Sequence, residues 1–311
     1  MFVVSVLTFG MVPAAKATET VLGVDEDVNQ ADGVSEAVVH DKYGFITSAN
    51  RQRGSLSKSG KDIERRGAKE KERGEKWLRM LRQWDFVCKF RKAKLQRRIR
   101  KGIPNVMRAW AWFHISHARE YKTKYPDLSK IDTAKIPAKV KDDIEKDVDR
   151  TFPKHLQFAE TDGHGQASLR RLLQWYAAID EEVGYCQGMG FVAGLLLTYL
   201  EEEEAFYCFA AALMTPCPTP LREIYLPDLA DAKRKMYVFG ELGRQILGPL
   251  WTHLEEQGVH TSMYATEWLM TIFCRGFNFD LVTRVWDVYL FEGFKVVYRV
   301  ALALLKVCLR I

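Results

Sequence analysis

The chain lacks the marks of most self-contained enzymes. None of its six cysteines forms a CxxC pair, and its closest histidines, His114 and His117, have no third ligand nearby. Those two absences remove a structural zinc site and a disulfide framework. There is no GxxxxGK(S/T) loop, no HExxH pair, no GxSxG elbow and no GxGxxG turn opening a helix. Nucleotide hydrolysis, metallopeptidase and serine-hydrolase chemistry therefore have no motif to rest on. No apolar run reaches the roughly 18–20 uncharged residues that a membrane-spanning helix requires. There is no βαβ alternation and no repeat with a period of about 20–50 residues.

What is present is ordinary for a globular chain. Of 311 residues, 47% are hydrophobic and 28% charged, which excludes low-complexity disorder for the chain as a whole and suffices for one large or two ordinary domains. Scattered free thiols in a chain of this size point to a reducing compartment, so the cytoplasm is the expected location. The net charge of +6 is unevenly placed: residues 51–110 hold 21 Lys and Arg against 6 Asp and Glu, leaving +15 there and −9 elsewhere. Basicity confined to one stretch, with no base-stacking platform beside it, does not describe a nucleic-acid binder. The first ten residues are apolar and Ala15-Lys16-Ala17 resembles a cleavage site, but no positive charge precedes the apolar stretch as a secretory signal demands. An untidy chain start is the expectation.

Residues 1–75 are expected to be mostly disordered, with a short ordered patch at Asp41-Lys42-Tyr43-Gly44-Phe45-Ile46. From Trp77 the pattern changes. Trp77, Leu81, Trp84 and Cys88 recur at spacings of four and three, which predicts one basic amphipathic lead-in helix over residues 76–99. Gly102-Ile103-Pro104 ends it, because proline disfavours helix in the residue before it. Beyond Pro104 nearly every segment reads as helix: 106–121, 139–149, 166–182, 189–200, 205–214, 230–245, 249–257, 264–274, 279–291 and 295–309. The 189–200 segment is apolar all round, the pattern of a helix buried on every side. The fold class is all-α, a multi-helix array around a continuous core. The last helix meets the chain end without a cap, so the domain is expected to continue past Ile311.

The informative polar chemistry lies at helix ends. In Ile144-Glu145-Lys146-Asp147-Val148-Asp149-Arg150-Thr151-Phe152-Pro153, Asp147 precedes Arg150 by three residues, so carboxylate and guanidinium share a helix face and can pair. Pro153 then forces the chain out of helix, leaving Arg150 near an exposed end. In Gly184-Tyr185-Cys186-Gln187-Gly188-Met189-Gly190, three glycines in seven residues let backbone approach a partner, and Gln187 offers a donor and an acceptor at the start of the buried helix. Read alone, Arg150 is also an ordinary helix-end cation and Gln187 a helix cap.

Taken together, Ile144-x-x-Asp147-x-x-Arg150 and Tyr185-x-Gln187 resemble the paired fingerprint of the TBC domain family, activators of Rab-type small GTPases. Arg100-Lys101-Gly102-Ile103-Pro104 with Arg108-x-x-x-Trp112 is similar to that family's entry motif, and Arg284-Val285-Trp286-Asp287 with Glu292-Gly293 to its late motif. The resemblance runs from residue 100 to 311, in order. Ala109 departs from the glycine usual after the entry arginine, and Ala is the better helix former by about 1 kcal/mol.

The resemblance implies a two-lobed TBC fold and a GTPase-activating protein that is not itself the hydrolase. Arg150 would neutralise charge on the transferring phosphoryl group and Gln187 would place the attacking water. Asp147 would orient the arginine, Tyr185 would help place Gln187, and Arg108 would support the fold or the GTPase interface. The partner is then a Rab-family GTPase in its GTP-bound form. It carries the GTP and Mg²⁺, so the chain needs no cofactor of its own, and the setting is vesicle traffic. The basic run 89–101 reads first as a solvated helix face and next as a peripheral contact with anionic endomembrane. The competing function is a non-catalytic Rab-binding effector or scaffold.

Overall fold

The computed structural model describes residues 39–47, 60–215 and 220–308. Among them are fourteen α-helices and one pair of two-residue strands, β1 (Val39–His40) and β2 (Ile46–Thr47). The fold is all-α. The expectations for residues 1–38 and 48–59 fall outside the described residues. The Asp41–Ile46 patch is ordered and forms the turn between the two strands.

The lead-in region departs from the single helix expected. It forms α1 (Gly60–Leu81), α2 (Trp84–Phe90) and α3 (Lys92–Lys101), so helix begins well before residue 76. Trp77 and Met80 face the core on α1, Val87 on α2, and Leu95 and Ile99 on α3, whereas Cys88 is exposed. The chain bends after Leu81 and again at Arg91, whose backbone leaves the helical region. Trp84 meets Trp110 edge to face at 5.0 Å, locking the bend to the helix that follows.

That next segment also splits, into α4 (Asn105–Ile115) and α5 (Ala118–Lys124), because His117 adopts a left-handed backbone with φ 67°. No glycine or proline marks the break, so periodicity ran through it. α6 (Ala138–Arg150), α7 (His164–Ile179), α8 (Met189–Leu197) and α9 (Glu202–Met214) complete the first lobe. All nine residues of α8 are buried, as its composition predicts. α7 packs against α6, α8 and α9, and α9 also covers α5.

The second lobe holds α10 (Ala230–Ile246), α11 (Gly248–Glu256), α12 (Ala265–Thr271), α13 (Phe279–Glu292) and α14 (Lys295–Cys308). Left-handed Ile272 and Phe273, both fully buried, stop α12 three residues before the predicted end. α13 joins the lobes by lying against α3 and α4, and α8 meets α12. No described helix is long and apolar enough to cross a membrane.

Buried polar groups fix that join. Asp287, fully buried on α13, accepts from Arg108 Nε at 3.0 Å, Trp112 Nε1 at 2.9 Å, the Ile103 backbone N–H at 3.2 Å and Arg284 Nη1 at 2.9 Å. Glu292 at the end of α13 takes a two-pronged bond from Arg100, at 2.5 and 2.8 Å. The entry and late motifs of the sequence are thus one hydrogen-bonded seam between lobes.

Candidate functional site

The site forms where the end of α6 crosses the start of α8. Helix α6 stops at Arg150; Thr151 is extended, and Phe152, ahead of Pro153, takes a left-handed backbone with φ 50°. The Thr151 hydroxyl donates back to the Asp147 carbonyl at 2.6 Å and closes the last turn. On the other side, Gly184 and Gly188 have φ of 57° and 104°, conformations that L side chains rarely adopt, and they bracket the Tyr185-Cys186-Gln187 turn.

The crossing is close because α8 presents bare backbone. A Cβ at Gly190 would lie 2.8 Å from Thr151 Oγ1, and one at Gly194 would lie 2.9 Å from Thr151 Cγ2 and 3.1 Å from the Phe152 ring. Gly190 therefore serves internal packing, not approach to a partner as its place in the glycine-rich turn suggested. Thr151, Gly190, Gly194 and Phe152 were missed as site-building residues. The i,i+4 glycine pair inside an apolar helix was the signal that could have found them.

Asp147 gathers the parts. Its carboxylate, fully buried, pairs with the Arg150 guanidinium on one side. The other oxygen accepts from the Tyr185 hydroxyl and from the Gly188 backbone N–H at 3.1 Å. Both neighbours of Gln187 in the motif, Tyr185 two residues before and Gly188 one after, are thereby bonded to the carboxylate that holds Arg150. Gln187 itself is exposed, and the Arg150 side chain keeps 45% of its surface in solvent. A half-exposed guanidinium and the turn that carries an exposed carboxamide are thus tied to one buried carboxylate.

The site contains no nucleophile suited to neutral pH. Burial pushes the Cys186 thiol up to about 11 and the Tyr185 hydroxyl well above its ordinary value. Such groups stay protonated and serve as fixed donors. The arrangement can present positive charge and an amide to something outside the chain.

Arg108 is not part of this cluster. It is buried on α4, and its bonds go to Asp287, the Asn105 side chain, the Ile103 carbonyl and the Tyr199 hydroxyl. Of the two roles open to it, the structure places it in the support of the fold and away from an exposed interface. Trp112 and Trp286 are likewise fully buried. His114 stacks on Trp110 with ring centroids 3.7 Å apart, and burial lowers its pKa to about 4. Among the described residues, no group of three His, Cys, Asp or Glu side chains is placed to hold a metal ion.

Comparison with known proteins identifies a family. The family model described as the Rab-GTPase-TBC domain matches residues 105–310. The human ecotropic viral integration site 5 protein homolog is 36% identical over 232 residues, 74% of this chain and 28% of its own length. Mouse TBC1 domain family member 10B is 37% identical over 268 residues, 86% of this chain and 32% of its own length. The chain thus spans about a third of the length of these curated relatives or less. Among solved structures, the Chlamydomonas flagellar RabGAP TBC domain superposes with a TM-score of 0.65 at 30% identity, covering 86% of each chain.

Proposed function

The chain belongs to the Rab-GTPase-TBC domain family, and from that premise we propose that it accelerates GTP hydrolysis on a Rab-family small GTPase by lending it two side chains. The observation that carries this reading is Asp147, a buried carboxylate that bonds both the half-exposed Arg150 and the flanks of the exposed Gln187.

The chemistry follows from what a GTPase lacks. Phosphoryl transfer stalls when charge on the equatorial oxygens is unneutralised and the attacking water is poorly placed. Arg150 supplies the charge: a guanidinium stays protonated and can bridge two phosphate oxygens, and an arginine given in trans is worth about 10³–10⁵ in rate. That corresponds to roughly 4–7 kcal/mol of barrier. Gln187 supplies the amide, which accepts from the water while donating to the phosphate and does not titrate. Asp147 orients the guanidinium before the partner arrives, and Tyr185 and Gly188 fix the Gln187 turn, so little ordering remains for the moment of reaction. GTP and Mg²⁺ belong to the GTPase, in its GTP-bound form, and this chain brings no cofactor.

The setting proposed is the cytoplasmic face of endomembranes, in vesicle traffic. The peripheral contact would be the basic run 89–101 together with the exposed Phe86 and Phe90, whose rings lie 5.2 Å apart on α2. Exposed aromatic rings amid lysine and arginine suit a headgroup layer.

Single-turnover hydrolysis on a panel of GTP-loaded Rabs tests the mechanism. Stimulation by the wild-type chain at substoichiometric amounts, lost in Arg150→Ala and in Gln187→Ala with the helical circular dichroism unchanged, is the expected result. Binding without turnover would point instead to an effector or scaffold, and full stimulation by both variants would refute the two-finger assignment.

A further inference from the structure

Residues 39–47 lie well before the segment that the family model matches, yet they are built into the corner that carries Arg150. The turn is self-contained: Asp41 Oδ1 accepts from the Tyr43 and Phe45 backbone N–H groups at 2.8 and 3.0 Å, and the Asp41 N–H donates to the Phe45 carbonyl at 2.8 Å. It is then stitched to the chain just after α6. The Ile46 N–H donates to the Lys154 carbonyl at 2.9 Å, the Leu156 N–H to the Gly44 carbonyl at 2.8 Å, and Phe45 bridges His155.

His155 closes the stitch in its neutral form. Its Nδ1 accepts from the Gln157 N–H at 3.1 Å, so its Nε2 carries the proton and donates to the Tyr43 carbonyl at 2.7 Å. Gly44 is required there: its φ is 93°, and a Cβ would stand 3.0 Å from the imidazole. A second anchor lies on α13, where Asp280 accepts from the Tyr43 hydroxyl at 2.8 Å and pairs with Lys42.

The Phe45 ring reaches furthest. It meets Phe152 edge to face at 5.7 Å, Phe279 at 4.7 Å and His155 at 4.8 Å. Phe152 also packs on Phe158, on Phe279 and on Phe191 of α8. A bulky residue in the left-handed region persists only when its surroundings over-determine it, and Phe152 stands two residues from Arg150. The glycine face of α8 presses on one side of this segment, and the hairpin adds its own contacts to it.

We infer that the 39–47 hairpin is a clasp that positions the arginine-bearing end of α6, with Phe45 as its positioning residue. This rests on the proposal that Arg150 acts in trans. Without the Phe45 ring, Phe152 loses an edge contact, the segment from Thr151 to Leu156 relaxes, and the guanidinium loses its fixed direction while the GTPase-docking surface persists.

The experiment compares the full chain, wild type and Phe45→Ala, by two readouts. Hydrogen exchange on the chain alone should rise about tenfold or more at amides 152–156, while α14 amides keep wild-type protection. On a responsive GTPase, kcat should fall about tenfold with KM within about twofold, because positioning affects the transition state more than encounter. Phe45→Leu should recover most of both. Where Phe45→Ala does not fold, Tyr43→Phe removes only the Asp280 bond and reads the same quantities at smaller amplitude. Unchanged exchange at 152–156, or raised exchange with unchanged kcat, overturns the clasp. A wild-type chain that stimulates no Rab overturns the trans mechanism instead, and the exchange result still decides whether the hairpin holds the segment.

Discussion

Asp147 carries more of the site than its place in a charged helix suggests. Spacing alone predicted its pairing with Arg150, since residues three apart on a helix meet. What spacing could not show is that its second oxygen serves Tyr185 and Gly188, residues some forty positions away, so that one carboxylate registers both segments. The consequence separates two variants. Tyr185→Phe deletes one hydrogen bond to a charged group and should cost about 1.5–3 kcal/mol of stability, read as a lower midpoint in urea. Asp147→Asn keeps the shape and removes the charge that holds Arg150. Its kcat should fall about tenfold to a hundredfold with KM little changed, because a misdirected guanidinium fails mainly in the transition state. An Asp147→Asn variant with wild-type kcat would mean that the guanidinium needs no internal partner.

Helix existence was legible nearly everywhere, because apolar residues recur at helical spacing and Pro104, Pro153 and Gly184 punctuate the runs. Four boundaries were not. The bends after Leu81 and at Arg91, His117 and Ile272 carry no glycine or proline, so no local sequence signal marks them. The candidate residues were legible as a family resemblance. The packing that supports them was hidden, since Gly190 reads as one more glycine in a turn until Thr151 is seen against it. That packing predicts a contrast between glycines. Gly190→Ala and Gly194→Ala each force a methyl against α6 and should cost about 1–3 kcal/mol, with stimulated hydrolysis lowered alongside. Gly67→Ala and Gly74→Ala, in α1 with nothing within 4 Å, should be neutral or stabilising by up to about 1 kcal/mol. Thermal midpoints of the four variants check this, and equal effects at all four would mean that the α6–α8 crossing has slack.

Charge and protonation act on the molecule as a whole. The sequence concentrates a net +15 in residues 51–110 and leaves −9 in the remainder. Pelleting with phosphatidylserine vesicles should therefore weaken steeply as salt rises, and Phe86→Ser with Phe90→Ser should weaken it at every salt concentration. Acid acts through two imidazoles, the buried His155 and the half-buried His114. Burial lowers His114 from 6.5 to about 4 and also lowers His155, so the folded chain resists protonating both while the unfolded chain does not. A depressed histidine contributes no penalty above its unfolded value near 6.5. Below that pH the unfolded state takes up the proton first, and stability falls until the folded value is reached. For His114 the window is pH 6.5 down to about 4, and the slope of about 1.4 kcal/mol per pH unit gives a loss of roughly 3 kcal/mol at most. His155 adds to the same loss; a proton on its Nδ1 breaks the bond from the Gln157 N–H and leaves the Nε2–H bond to the Tyr43 carbonyl in place. Urea midpoints from pH 7 to pH 4 should decline in the wild type and decline less in His114→Phe, which keeps an aromatic ring over Trp110. A His114→Phe profile parallel to the wild type would show that the imidazole is already solvated in the fold.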